Sequence, residues 1–177
     1  MDILNWRPAS GGEHVSEDNL QHTALNGVVD YVAALDELCG LAQHSLLIFE
    51  NDFDNIGFNS EARFNTLRRF LLSGPNTRLH LLAHDTQPLI RFCPRMMILL
   101  RQFSHNMHIY QTPINLRHLS EPFSVADEKH FVRRFHFDDA RGVFAKNDPE
   151  GARLLKSRFE EMWEGSHPSA STTTLGL

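Results

Sequence analysis

Histidines, cations and carboxylates gather in a few stretches of this sequence, and their spacing limits the chemistry open to them. In His118-Leu119-Ser120 the imidazole and the hydroxyl are two residues apart, so on a strand they share one face. A serine there attacks only if a base takes its proton. Downstream, Lys129, Arg133, Arg134 and His136 follow Asp127, and Arg134 and His136 again share a strand face. Such cations could hold a phosphate, sulfate or carboxylate through charge-assisted hydrogen bonds. The plainer alternative is that they pair with Asp127, Glu128, Asp138 and Asp139, as charges at strand ends usually do.

Upstream, His84-Asp85 and the group Asn51, Asp52 and Asp54 each follow a short apolar run. Ligands of open α/β sheets gather at the carboxyl ends of strands, so these residues form a candidate polar rim. Asp85 is explained as simply by capping the helix that follows. The eleven histidines call for a metal check. His80 and His84 share a strand face and His105 and His108 straddle a loop, but no cysteine or carboxylate completes a zinc-like spacing, so neither a metal nor a cofactor is expected.

The elements that must position these groups follow from hydrophobic period and punctuation. A short strand at 23–25 precedes a helix carrying Val28, Tyr31, Val32, Leu35, Leu38, Leu41 and Ala42 on one face. Ser45-Leu-Leu-Ile-Phe49 is apolar without alternation, as expected of a central strand covered on both faces, and it ends in Glu50-Asn51-Asp52. A helix capped by Ser60 stops at Gly74-Pro75; a second central strand spans 77–83. A third helix runs to about 104 with a break that Pro94 should impose near Phe92, and 107–111 is a further strand. This alternation predicts parallel pairing. From Pro113 the pattern changes to consecutive strands at 122–127, 130–137 and 142–146, the last two joined by a hairpin loop at 138–142. An amphipathic helix over 150–165, opened by Asp148-Pro149, closes the pattern. The predicted architecture is α/β: a mixed sheet, mainly parallel, flanked by helices on both faces.

Length and composition fit one globular domain: 177 residues, 41% hydrophobic and 22% charged. An arm at 1–18, a domain at 19–168 and a flexible Ser/Thr-rich tail at 169–177 are expected. A formal charge of −5 argues against wholesale coating of nucleic acid or anionic lipid. The longest apolar run, Met96–Leu100, is far short of the roughly 20 residues needed to cross a bilayer, and no secretory leader is visible. With only Cys39 and Cys93, the composition fits two buried thiols in a reducing, cytoplasmic setting.

Taken together, Pro122-Phe-Ser-Val-Ala-Asp127-Glu-Lys-His-Phe-Val-Arg-Arg134 and the closing Phe159-Glu-Glu-Met-Trp163 resemble one half of the phospholipase D-like fold over roughly 23–168. In that superfamily a strand carries His-x-Lys, an Asp follows five residues after the Lys, and the closing helix ends in Phe/Leu-x-x-x-Trp. The resemblance aligns Asp127 with the family Asp, which puts Ser120 at the histidine position and Pro122 at the lysine position. Family members attack a phosphodiester with the histidine, and lysine offsets the phosphate charge. Proline supplies neither charge nor a backbone donor. The resemblance therefore implies a degenerate domain that serves as a binding, regulatory or assembly module, with a homodimer and a phosphate-containing or other anionic ligand as the expected partners. The alternative it leaves is a phosphodiesterase or phosphohydrolase with a non-standard site across a homodimer, drawing on His118, Ser120 or His136 with Lys129 or Arg134.

Overall fold

A computed structural model describes residues 19–170; the expected arm and residues 171–177 of the expected tail lie outside them. The chain opens with β1 (Gln21–Asn26), α1 (Val28–Leu41) and β2 (Ser45–Glu50), continues with α2 (Glu61–Leu72) and β3 (Arg78–Ala83), then α3 (Gln87–Phe92), α4 (Pro94–Gln102) and β4 (Met107–Gln111). A single 3-10 turn at Ile114–Leu116 leads to β5 (Phe123–Ala126), β6 (His130–His136), β7 (Asp139–Lys146), α5 (Pro149–Glu164) and β8 (His167–Ala170).

The start and stop signals act as their chemistry dictates. Ser60 Oγ accepts from Arg63 N at 3.2 Å to cap α2, and Asp148 accepts from Gly151 N at 2.9 Å to cap α5. Asp85 accepts from Gln87 N at 2.9 Å at the start of α3. Pro94 splits the expected third helix into α3 and α4 at Cys93.

All eight strands form one sheet in the order β1-β7-β6-β5-β2-β3-β4-β8. Only β2–β3 and β3–β4 are parallel; the other neighbours are antiparallel, so the expectation of a mainly parallel sheet is corrected. Helix–strand alternation yields parallel pairing only as far as β4. Tight turns then join β5, β6 and β7, and such turns can connect only antiparallel strands. The first strand pairs with β7 at the far edge instead of with β2. The eighth begins where a helix stop and a tail were expected; its Ser/Thr-containing stretch carries no strand period to reveal it.

Alternate residues of each strand face opposite cores. Leu46, Ile48, Leu79, Leu81, Met107 and Ile109 pack under α1, α2 and α4, whereas Leu47, Phe49, Leu82, Phe123 and Val125 pack under α5. Helices thus cover both faces, four on one and α5 alone on the other.

The expected five-residue loop at 138–142 is also corrected: β7 begins at Asp139, and Gly142 sits within the ladder opposite Arg134. Glycine is needed there for close approach, not for a turn. A Cβ on residue 142 would lie 2.1 Å from the Arg133 carbonyl oxygen. Gly142→Ala is therefore expected to lower unfolding stability by at least about 2 kcal/mol. Urea denaturation checks this, and a midpoint matching wild type would contradict the packing described.

Candidate functional site

The carboxyl ends of β2 and β3 and the entry to β5 meet at one edge of the sheet, because β5 runs antiparallel to β2. There the main chain at Ser120 and Pro122 is committed to pairing. Ser120 O accepts from Phe137 N at 2.8 Å and Pro122 O from Arg134 N at 3.0 Å. The Pro122 side chain is buried.

The residues singled out from sequence do not converge. His118 is exposed after the 3-10 turn and donates through Nδ1–H to Asn115 O at 2.8 Å. Exposed His136 accepts from Asp138 N at Nδ1, 3.0 Å away. Arg133 points to the α5 side, 4.0 Å from Glu121, opposite its neighbour Arg134. Lys129 is exposed in the β5–β6 turn, at the other end of β6 from Arg134 and His136. The group Asp127, Lys129, Arg133, Arg134 and His136 is thus not one site: β6 is seven residues long, roughly 20 Å at about 3.3 Å per residue, and its alternation separates the two arginines.

Asp127 has a different task. Its carboxylate accepts from the backbone N–H groups of Gln43, His44 and Ser45 at 2.8, 2.8 and 2.9 Å. Asp127 and Glu128 have φ of 55° and 54°, the positive values of a type I′ turn, and Lys129 N closes that turn onto Ala126 O at 3.0 Å.

His84 is the buried histidine of the carboxyl edge, and it is fully engaged. Nε2–H donates to Leu119 O at 2.7 Å, which leaves Nδ1 to accept from the Thr112 hydroxyl at 2.5 Å. Phe49 and Phe137 stand edge-on to its ring at 5.2 and 5.6 Å. Burial pushes its pKa down, against the pull of the Leu119 carbonyl, so the ring is held neutral. It has no free nitrogen for a phosphoryl group.

On the opposite face lies a cluster that sequence reasoning missed. Glu50, 3% exposed, accepts from the Tyr31 hydroxyl, and the Arg134 guanidinium stacks 4.8 Å over the Tyr31 ring. Arg134 is itself buried and donates to two main-chain carbonyls, those of Phe137 and, at 3.2 Å, Asp139. Burial raises the Glu50 pKa to about 7, with Tyr31 and Arg134 opposing it, while burial and then Glu50 push the Tyr31 hydroxyl well up. The visible signal was an acid ending an otherwise apolar central strand. A cleft of about 240 Å³ opens beside this cluster, lined by Glu50, Asn51, Asp52, Asp54, Arg134 and Asp138 among others, so Asn51, Asp52 and Asp54 of the expected polar rim gather here, whereas Asp85 does not line it and His84 belongs to the other face. Carboxylates dominate it, and its one cation is occupied. Among the described residues no group of three or more His, Cys, Asp or Glu side chains could hold a metal.

The sheet, with one helix closing its second face and the Asp127 turn at its centre, agrees with the fold the sequence resembles, and solved structures share it. The fold is similar to that of TrmBL2, an archaeal chromatin protein whose structure shows a novel mode of DNA binding (TM-score 0.64, 15% identity, covering 84% of this chain and 55% of that one). It is also similar to Nuc from Salmonella typhimurium, a phospholipase D family member (0.61, 12%, 86% and 98%), and to NucT from Helicobacter pylori (0.59, 11%, 85% and 99%). The chain thus spans about half of the chromatin protein but nearly all of the two shorter structures. No curated protein matches the sequence. Residues 28–175 match the model of a domain of unknown function, DUF7931, and the chain belongs to that family.

The raised Glu50 pKa sets a pH dependence. A buried acid that titrates near 7 when folded and near 4.5 when unfolded holds its proton only in the folded state across that window. Stability therefore falls as pH rises from about 4.5 to 7, by up to about 3 kcal/mol from this group, and is flat from it beyond. Glu50→Gln is expected to remove that slope in urea titrations at several pH values; an unchanged slope would show that Glu50 is not its source.

Proposed function

We propose that this domain is a phospholipase D-like module that has given up phosphodiester cleavage and works by binding or assembly, as a cytoplasmic homodimer. The observation that carries the proposal is the occupation of the carboxyl edge. Ser120 and Pro122 stand where the family resemblance requires histidine and lysine, the nearby buried imidazole of His84 has both nitrogens engaged, and Arg134 is tied to two carbonyls and a tyrosine ring. Nucleophile, acid and phosphate clamp all lack a free side chain in the right place.

The dimer is supported by the unequal cover of the sheet. On the α5 side, the strip over β3 and β4 presents half-buried His80, His108 and Tyr110, with Trp163 stacked on His80 and Tyr110. A second copy seated over His108 and Tyr110 would cover the β4 side of this strip and leave the β2–β3 side open. DNA binding, which is described for the chromatin protein, is disfavoured here by the net charge of −5 and the carboxylates of the edge cleft.

A residual hydrolase is favoured by one observation, the Glu50 carboxyl with a pKa of about 7, a value suited to a general acid or base. Hydrolysis of bis(p-nitrophenyl) phosphate and p-nitrophenyl phosphate separates the two accounts, assayed at concentrations where sedimentation resolves monomer and dimer. Rates at the buffer background are expected throughout. Turnover that disappears in Glu50→Gln, Ser120→Ala or His136→Ala would overturn the proposal.

A further inference from the structure

At the opposite edge of the sheet, where β2 and β3 begin side by side with Ser45 beside Arg78, a cavity of about 340 Å³ lies between the strands and α5. Its size is that of a small-molecule site, and Ser120, Pro122 and Asp127 do not line it. One stripe of α5, Lys156, Phe159, Glu160 and Trp163, forms its helical side at i, i+3, i+4 and i+7 spacing.

The wall is aromatic and already ordered. The Trp163 indole lies parallel to His80 (4.5 Å, 8°) and to Tyr110 (3.9 Å, 15°), and Phe159 stacks beside it at 5.6 Å and 22°. Leu47 adds apolar surface. The His80 imidazole is held neutral: burial first, then His108 and Arg78, take its pKa down to about 4. The cavity therefore has an uncharged aromatic wall against which a ring can pack.

Its rim is polar and unequally engaged. Lys156 is held by Glu128 and, at 3.6 Å, by Glu160, so that cation is already answered. Arg78 makes no ion pair and no side-chain hydrogen bond among the described residues, and neither do the side chains of His44 and Asn76 beside it. Arg78 and Lys156 against Glu128 and Glu160 leave the lining neutral overall. That balance suits one negative charge placed on the unpaired guanidinium and disfavours a polyanion, which would meet both carboxylates.

We propose that this cavity binds a small planar aromatic monoanion, its ring laid against Trp163 and Phe159 and its anionic group on Arg78. The site is independent of the carboxyl edge and of whether any hydrolysis occurs there.

The test uses the full chain with Trp6→Phe, which leaves Trp163 as the only tryptophan of the two in the sequence. The Trp163 indole N–H resonance is followed by NMR while 2-naphthoate, the uncharged 2-naphthamide or the dianionic phenyl phosphate is added. A saturable shift with 2-naphthoate is expected, weakened roughly tenfold by Arg78→Gln, a charged hydrogen bond being worth about that much. The amide should bind more weakly and be indifferent to Arg78→Gln. Because Arg78 is exposed, that substitution leaves the fold intact, which its own spectrum verifies. No saturable shift with 2-naphthoate, equal affinity in Arg78→Gln, or phenyl phosphate binding about tenfold more tightly than 2-naphthoate would each overturn the proposal.

Discussion

One carboxylate joins the two halves of this fold. Asp127 binds three successive backbone N–H groups that lie 82 to 84 residues earlier in the chain. Those groups belong to the residues leading into β2, and Asp127 N returns a bond to Ser45 O at 3.0 Å. The parallel strands β2, β3 and β4 thereby meet the antiparallel strands β5, β6, β7 and β1 in a defined register, Leu46 opposite Ala126 and Phe49 opposite Phe123. That register decides everything at the other end of the seam. A one-residue slip would exchange the faces of β5 and bring Phe123 and Val125 out of the α5 core.

The seam holds the architecture through contacts to the main chain. Asp127 acts through the main chain, so its role is independent of what stands at positions 120 and 122. With serine and proline there, the carboxyl edge is filled by interactions that stabilise the fold. His84 bridges Thr112 and the Leu119 carbonyl on one face, while Tyr31, Glu50 and Arg134 close the other. Burying Glu50 is costly when it is ionised, which is why its proton is retained to about pH 7. Such a group looks catalytic by pKa alone, but its surroundings are those of a packed polar network.

Much of this was legible in the residues. Ser60, Pro94 and the Asp148-Pro149 pair mark helix boundaries through local chemistry, and Ser45–Phe49 announces a central strand by its uninterrupted apolar run. The resemblance carried by Asp127, Phe159 and Trp163 leads to the right fold. Less legible was anything depending on pairing across the chain. The edge position of β1, the strand formed by His167–Ala170 and the close approach at Gly142 all arise from partners eight or more residues away in sequence. For the same reason a run of cations that looks like a cluster on paper is dispersed by β6, whose alternation and length send Lys129, Arg133 and Arg134 to different places. Glu50 and Tyr31, nineteen residues apart, carry no local sign that they meet.

The most direct measurement of the central claim, that the Asp127 carboxylate holds the two halves of the fold together, is the unfolding free energy of Asp127→Ala and Asp127→Asn by urea denaturation. Loss of three N–H acceptors and of a residue tolerant of positive φ predicts destabilisation of about 2–4 kcal/mol for alanine and less for asparagine. An alanine variant within about 0.5 kcal/mol of wild type would contradict the account.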